Sequence, residues 1–470
     1  MEKEFDVVFI DPPKLIQGLP EEGKSGSFFT SETVKINAIN LGILSLFSYL
    51  SSKGFSCKIL NFSEDSDFSN AKRKIEKIRA SYFGIGSQSG FDYLETIELA
   101  RLIKESNHNS KVVIGGQHAG SLEEMPLKES KDIDIIVKFE GEHVLGDILK
   151  GKPLREIPGI AYRKGDKIVN NNGRYNPVNI NELPFLEYES YPNYKKYTPV
   201  VEESRGCPYG CKYCTSNWVN RRQVSIKKPE RFLEEMEYCI SLYGTKVSYA
   251  VNACTYGMNP DYGKKIAIGM KKFNVKWSSE FRVDSPWEVY IDKLLDSNYE
   301  VVNVGMESAS PEVLINMGKT RDPAYYIGKT KKLIQRVSKS DAVLRVNFMF
   351  YAGETPKTVK ETLSFLTSNP EIGAILYSPV IVLHNTPLME NFDFFKRKYG
   401  ARYAEIESWT SRHLYPIHPS KYFTFEESMM LSSLFERIFS DPESWCTAQK
   451  YEIHQTEEDI LALKRVHFNE

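Results

Sequence analysis

No apolar run in the 470-residue chain approaches the roughly 18 residues that a membrane-spanning helix needs. The start, MEKEFDVVFI, lacks the basic opening and long apolar core of a signal peptide. A cytoplasmic, reducing location is therefore expected. Net charge is almost absent: 61 Lys and Arg against 62 Asp and Glu leave −1. Such a chain has no global field to gather nucleic acid or anionic lipid. Internal repeats and low-complexity tracts are missing as well. Cysteine is sparse and odd in number, seven in all, which excludes a disulfide-stapled framework. What remains is the composition of an ordinary globular protein, 41% hydrophobic and 26% charged. At roughly 150 residues per domain it has room for about two to four domains.

The few cysteines are unevenly placed. Cys57, Cys239, Cys254 and Cys446 stand alone and are expected to be small core residues. Cys207, Cys211 and Cys214 fall together in SRGCPYGCKYCTSN. A C-x3-C-x2-C loop wraps three thiolates around one centre, and Gly206, Pro208 and Gly210 allow its tight turns. Structural zinc wants four ligands, and no fourth Cys or His follows at zinc-like spacing. Three thiolates suit a [4Fe-4S] cluster with one iron left open to a small ligand.

Downstream, apolar segments alternate with helical patterns. Strands are predicted at 198–204, 247–253, 276–284, 300–308, 342–351 and 374–383. Helices are predicted at 229–243, 260–273, 286–298, from Pro311 and from Lys357. Such alternation indicates βαβ units and a parallel sheet, with ligands at the C-terminal strand ends.

The cysteine loop, with Tyr213 before its last cysteine, resembles the signature of the radical S-adenosylmethionine (SAM) superfamily. EFRVD, VGMESAS and YAGETPKTVKET resemble further segments of that family in the expected order, with Ala352 where proline is usual. The resemblance implies a partial (β/α)6 TIM-like barrel at 198–385. It implies that Cys207, Cys211 and Cys214 hold a [4Fe-4S] cluster and that Tyr213, Arg282 and Glu307 contact SAM. One electron from the cluster would then cleave SAM to a 5′-deoxyadenosyl radical, which takes hydrogen from an unactivated C–H bond. VNACTYG departs from the paired aspartates that many relatives carry after the second strand.

Upstream, strands are predicted at 5–11, 56–62, 82–90, 111–119 and 133–143, with helices at 37–55 and 91–106. This is a doubly wound α/β unit whose ligand should lie at the C-terminal strand ends. GIGSQSG is a poor dinucleotide loop, because it sits on the third strand with one residue too many. The order PP, LGILSLFSYL, VVIGGQHA, FEGE resembles the Rossmann-like cobalamin-binding domain of class B radical SAM enzymes. That resemblance implies a domain at 1–150 with Ser87, Gly90, Gly115, Gly116, Glu140 and Glu142 at the corrin or its tail. The Asp-x-His-x-x-Gly cobalt motif is absent, as in many radical SAM relatives. Some relatives keep this fold without the corrin.

Residues 151–197 are expected to be a connector containing a hairpin around Gly165-Asp166. Residues 386–470 are expected to be mostly helical, with His384, His413 and His418 among aromatics either capping the barrel or packing. The basic stretch 220–231 is either a solvated face or a contact for a flavodoxin- or ferredoxin-type electron donor.

The family resemblance implies an enzyme, most readily a cobalamin-dependent C-methyltransferase acting on a small metabolite or peptide in a biosynthetic pathway. The alternatives are a radical SAM dehydratase, epimerase or rearrangement enzyme without cobalamin, and a corrinoid carrier or sensor with a vestigial barrel. An RNA substrate is disfavoured by the −1 charge and by the lack of a second cluster motif.

Overall fold

The computed structural model describes residues 4–13, 38–173 and 176–440. Cys446 and the expected helical pattern beyond 440 lie outside the described residues.

The N-terminal unit is built on β1 (Glu4–Asp11), β2 (Cys57–Asn61), β3 (Arg79–Gly86), β4 (Lys111–Gly115) and β5 (Ile135–Val137). These five run parallel in the order 2-1-3-4-5. They are buried apolar runs, as strands covered on both faces must be. The helix Leu41–Ser52 starts where the Asn40 side chain accepts from the Ile43 N–H at 3.2 Å. The helix Ser69–Glu76 was not anticipated; its exposed face is rich in Lys and Arg and only Ala71 and Ile75 are buried. The hairpin expected in the connector is present as β6 (Ile160–Lys164) and β7 (Lys167–Asn170). It is not a free connector element: β6 pairs antiparallel with β5 and extends the sheet to seven strands.

The second unit has β8 (Val200–Glu202), a short ladder of β9 (Ser204–Arg205) with β10 (Ser225–Ile226), then β11 (Ser248–Asn252), β12 (Lys276–Arg282), β13 (Tyr299–Glu307), β14 (Val343–Phe350) and β15 (Ala374–Pro379). β8 and β11 to β15 form one six-stranded parallel sheet in sequential order, as a partial (β/α)6 barrel requires. Its helices begin at Pro229, Pro260, Pro311, Pro323 and Pro356. Proline suits the first helical position, where an N–H has no partner to lose. The helix expected at 286–298 is a 3-10 turn, Trp287–Val289, followed by the short helix Ile291–Leu295.

The last predicted strand ends at Pro379, and the chain then forms β16 (Ile381–Val382), β17 (Arg402–Tyr403) and β18 (Tyr415–His418), a small antiparallel sheet. The helix Phe425–Phe439 opens with a capping box at Thr424 and Glu427. It covers the edge of the parallel sheet. Glu436 accepts from the Tyr377 N–H at 2.6 Å, and Ser440 Oγ from the Ile375 N–H at 3.0 Å, so the edge strand does not offer these donors to another chain. Among the described residues, no helix is long and apolar enough to cross a membrane.

The two units share one apolar core, running from Val7 and Phe9 through Tyr188 and Tyr191 to Trp277 and Phe348. The C-terminal histidines help join them. His118 of the first unit places Nε2 2.8 Å from the Arg412 carbonyl, and His413 sits 2.8 Å from Glu129. Arg412 and Glu95 form a buried bidentate pair. His384 meets the Tyr415 hydroxyl at 3.0 Å. His418 accepts from the Phe425 N–H at 3.0 Å.

Candidate functional site

The cysteine loop follows β8 and β9, at the C-terminal end of the parallel sheet. Cys211 is buried, and Cys207 and Cys214 are partly so. Burial holds the Cys214 thiol above its ordinary value, opposed by hydrogen bonds from Ser216 and raised further by Cys211 and Cys207. Among the described residues no three His, Cys, Asp or Glu side chains stand close enough for a single metal ion. A four-iron cube, with one thiolate on each of three irons, sets its ligands further apart than one ion does. The donor set therefore fits a cluster: three thiols on one loop, none of them in a disulfide.

Tyr213, Arg282 and Glu307, chosen from three distant sequence segments, converge on this loop. Arg282, at the end of β12, donates to Cys211 Sγ at 3.1 Å. Glu307, at the end of β13, accepts from Lys319 Nζ at 2.8 Å, and Lys319 also reaches the Tyr213 hydroxyl at 3.4 Å. The Tyr213 hydroxyl is pushed well above its ordinary value by burial first, then by Glu307 and the two nearby cysteines. The register of β13 against β14 slips between Gly305 and Glu307, and Glu307 has φ 72°. That bulge re-aims the carboxylate. A Cβ at Gly305 would lie 2.5 Å from Glu307 Oε1, so any larger residue there would displace that carboxylate.

Lys319 escaped the sequence reading. It lies in NMGKT, after a short helix, where only the fold brings it beside Glu307. Cys254 differs from expectation: it reaches solvent rather than filling the core, while the protein around its thiol, then Cys207 and Cys214, push that thiol up to about 12. It ends the segment after β11, at the same sheet end as the cysteine loop. Cys239 is buried as expected. Along one face of the sheet, Asn303 donates to Glu280 at 2.6 Å and accepts from Arg345 at 3.3 Å.

An apolar pocket of about 520 Å³, counting its open mouth, lies in the first unit. Phe9, Ile43, Leu46, Val113, Val137, Phe139 and Leu145 supply apolar walls, and Gly84, Gly86, Gly115, Gly116 and Gly141 supply clearance. Strand order reverses between β1 and β3, where doubly wound sheets open for ligands. Asn40 and Gln88 mark the polar rim: Gln88 donates to Asn40 at 2.9 Å, and Asn40 donates to buried Asp11 at 3.0 Å. A narrow apolar slot with a polar rim fits a flat aromatic group carrying a polar attachment, such as the nucleotide tail of a corrin.

The six residues expected at a corrin divide. Gly115 and Gly116 line the pocket. Ser87 is buried beside it and donates to Asp92 at 2.8 Å. Gly90 faces Leu414 and His118 rather than the pocket. Glu140 and Glu142 turn to Arg205, one residue before the cysteine loop, at 3.3 and 2.8 Å. Burial raises the Glu142 carboxyl, but Arg205 and Ser45 overcome it and leave it below its ordinary value. The pocket also meets the segment that follows the cysteine loop, through Phe139 in its wall, which stacks on Trp218 with centroids 5.2 Å apart.

The fold defines a two-unit α/β protein with a cysteine loop at the C-terminal end of one parallel sheet and an apolar slot at the C-terminal end of the other. Comparison with known families assigns each unit. The family model described as the Radical SAM superfamily matches residues 201–366, and that of the B12 binding domain matches 30–149. The chain is a member of the radical SAM superfamily and carries a B12 binding domain ahead of its radical SAM domain. It is 28% identical over 279 residues to "Uncharacterized methyltransferase PH0819" of Pyrococcus horikoshii, covering 57% of this chain and 60% of that protein. It is 26% identical over 294 residues to the anaerobic magnesium-protoporphyrin IX monomethyl ester cyclase of Cereibacter sphaeroides, covering 56% of this chain and 46% of that protein. The matches thus span about half to three-fifths of these relatives. In structure it is similar to the radical SAM methyltransferase TsrM of Kitasatospora setae, solved with cobalamin and a [4Fe-4S] cluster. The TM-score is 0.70 at 15% identity, over 87% of this chain and 81% of that one.

Proposed function

We propose that the chain is a cobalamin-dependent radical SAM enzyme that methylates a carbon of a small molecule or peptide. The observation that carries this is the Phe139–Trp218 stack, which brings the wall of the N-terminal slot against the helix that follows Cys214. A corrin seated in that slot and a cluster on that loop would be neighbours. Cys207, Cys211 and Cys214 would hold the cluster, and Gly115 and Gly116 would border the corrin tail. When bound, the cluster supplies the electron that opens SAM to a 5′-deoxyadenosyl radical, and the corrin supplies a carrier for the methyl group.

The chain's own residues bind and orient. Glu307 offers a carboxylate, Lys319 an ammonium and Tyr213 a hydroxyl to a ligand bearing ammonium, carboxylate and hydroxyl groups. The burial of Cys211 and Tyr351 excludes water from that side of the loop. Residues 1–150 act as the corrin domain, 198–385 as the SAM barrel and 386–440 as the brace between them. A flavodoxin- or ferredoxin-type donor would supply electrons, for which exposed Arg221 and Arg222 near the loop offer a cationic approach.

The curated relatives include a cyclase as well as methyltransferases, so product analysis decides. Anaerobically reconstituted protein is incubated with SAM, dithionite and hydroxocobalamin. Methyl transfer predicts S-adenosylhomocysteine alongside 5′-deoxyadenosine. 5′-Deoxyadenosine alone would favour non-methylating radical chemistry, and neither product would favour a corrinoid carrier.

A further inference from the structure

Arg282 is engaged on every side by protein. Nη1 donates to Cys211 Sγ at 3.1 Å. Nε and Nη2 grip Asp284 at 2.8 and 3.0 Å, and Nη2 also donates to the Lys319 carbonyl at 2.7 Å. The Tyr209 ring, from within the cysteine loop itself, lies 3.8 Å from the guanidinium carbon. Only 6% of the residue is exposed. These contacts leave little of the guanidinium for a SAM carboxylate. They point it at one sulfur of the proposed cluster.

We propose that Arg282 is a positioning residue for the cluster, whose N–H···S bond to Cys211, tempered by Asp284, sets the reduction potential there. The inference rests on the assignment of a [4Fe-4S] cluster to Cys207, Cys211 and Cys214. Reduction adds one negative charge to the cluster. A buried cation and a hydrogen bond on a ligand sulfur stabilise that added charge and raise the potential. Low exposure strengthens the effect, because little water screens it. The carboxylate of Asp284, bidentate on the same guanidinium, opposes it. The two residues should therefore move the potential in opposite directions, which a general loosening of the loop would not do. Tyr209 holds the guanidinium in place by a cation–π contact.

The test is an EPR-monitored redox titration of the full-length reconstituted protein, after iron and sulfide content are measured. The variants are Arg282→Met, Arg282→Lys and Asp284→Asn. Arg282→Met should lower the potential, Arg282→Lys should recover part of the loss, and Asp284→Asn should raise it. Potentials equal to wild type in both Arg282→Met and Asp284→Asn, or shifts of the same sign, would overturn the proposal. If Arg282→Met fails to hold a cluster, Asp284→Asn, which keeps the arginine, decides alone by the sign of its shift. A wild-type protein that holds no cluster would overturn the underlying metal assignment instead, so the two failures are distinguishable.

Discussion

Arg205 Nη1 lies 2.8 Å from Glu142 Oε1, and that contact joins the residue before the cysteine loop to the wall of the N-terminal slot. Glu140 and Glu142 flank Gly141, which lines the slot, and Ser45 Oγ, from the slot's helix, lies 3.0 Å from the same guanidinium. Glu202 completes the ring at 2.8 Å. One buried cation thus holds three carboxylates from both units.

Removing that cation should be costly. Arg205→Met leaves three carboxylates facing one another, and breaking a buried pair in this way typically costs about 3–5 kcal/mol. The expected outcome is a fall of that size in denaturant-measured stability, mostly recovered by Arg205→Met combined with Glu142→Gln and Glu202→Gln. Equal stability of the single and triple variants would contradict it.

Two adjacent glycines should behave differently. A Cβ on Gly116 would meet the Ser87 carbonyl at 2.3 Å with φ at 103°, so Gly116→Ala should destabilise the fold. A Cβ on Gly115 meets only ordinary contacts, 3.4 Å from the Val137 carbonyl. Gly115→Leu should therefore leave the melting temperature near wild type while filling the slot. Its expected signature is loss of hydroxocobalamin co-elution on gel filtration with SAM cleavage retained. Normal corrin binding by Gly115→Leu would contradict the assignment of the slot.

The expectations that held came from local patterns. Three cysteines within eight positions marked the loop, and alternating apolar and helical segments marked both sheets. The residues that escaped act through distance along the chain. Arg205 and Glu142 are 63 residues apart, so no periodicity relates them. Glu140 and Glu142, expected at the corrin, instead neutralise a cation supplied by the other unit. Lys319 is an unremarkable lysine in sequence and becomes part of the site only because the bulge at Glu307 turns the carboxylate toward it. The C-terminal histidines could be read as capping or packing; the fold uses one of them, His413, together with His118 of the first unit, in the seam between that unit and the C-terminal segment.

That seam predicts a pH dependence. Burial, then His413 and His384, pull His118 down to about 4 from 6.5, against the bond to the Arg412 carbonyl. Tyr93 also packs on its ring, and Glu129 faces it only through His413. Below pH 6.5 the unfolded chain takes up a proton that the folded chain refuses until about pH 4. Stability should therefore fall with pH across that window, by about 1.4 kcal/mol per unit for this residue, with no contribution above it. His118→Gln should flatten the slope of denaturant midpoint between pH 6.5 and 5. An unchanged slope would contradict the buried neutral histidine.

Cys207→Ala, Cys211→Ala and Cys214→Ala should each reduce 5′-deoxyadenosine formation to background while leaving the circular dichroism spectrum unchanged. Cys239→Ala, a change at a buried packing position, should lower stability by about 1 kcal/mol with SAM cleavage intact. Loss of cleavage in Cys239→Ala to the same degree would show that the three loop cysteines are not special.

The central claim is that one chain holds a cluster on the cysteine loop and a corrin in the slot beside it. The most direct measurement is iron, sulfide and cobalt content of anaerobically purified, reconstituted protein, with the triple Cys207→Ala, Cys211→Ala, Cys214→Ala variant in parallel. About four irons and one cobalt per chain are expected for wild type, and cobalt without iron for the triple variant. Iron retained by the triple variant, or wild-type protein that binds no corrin, would contradict the account.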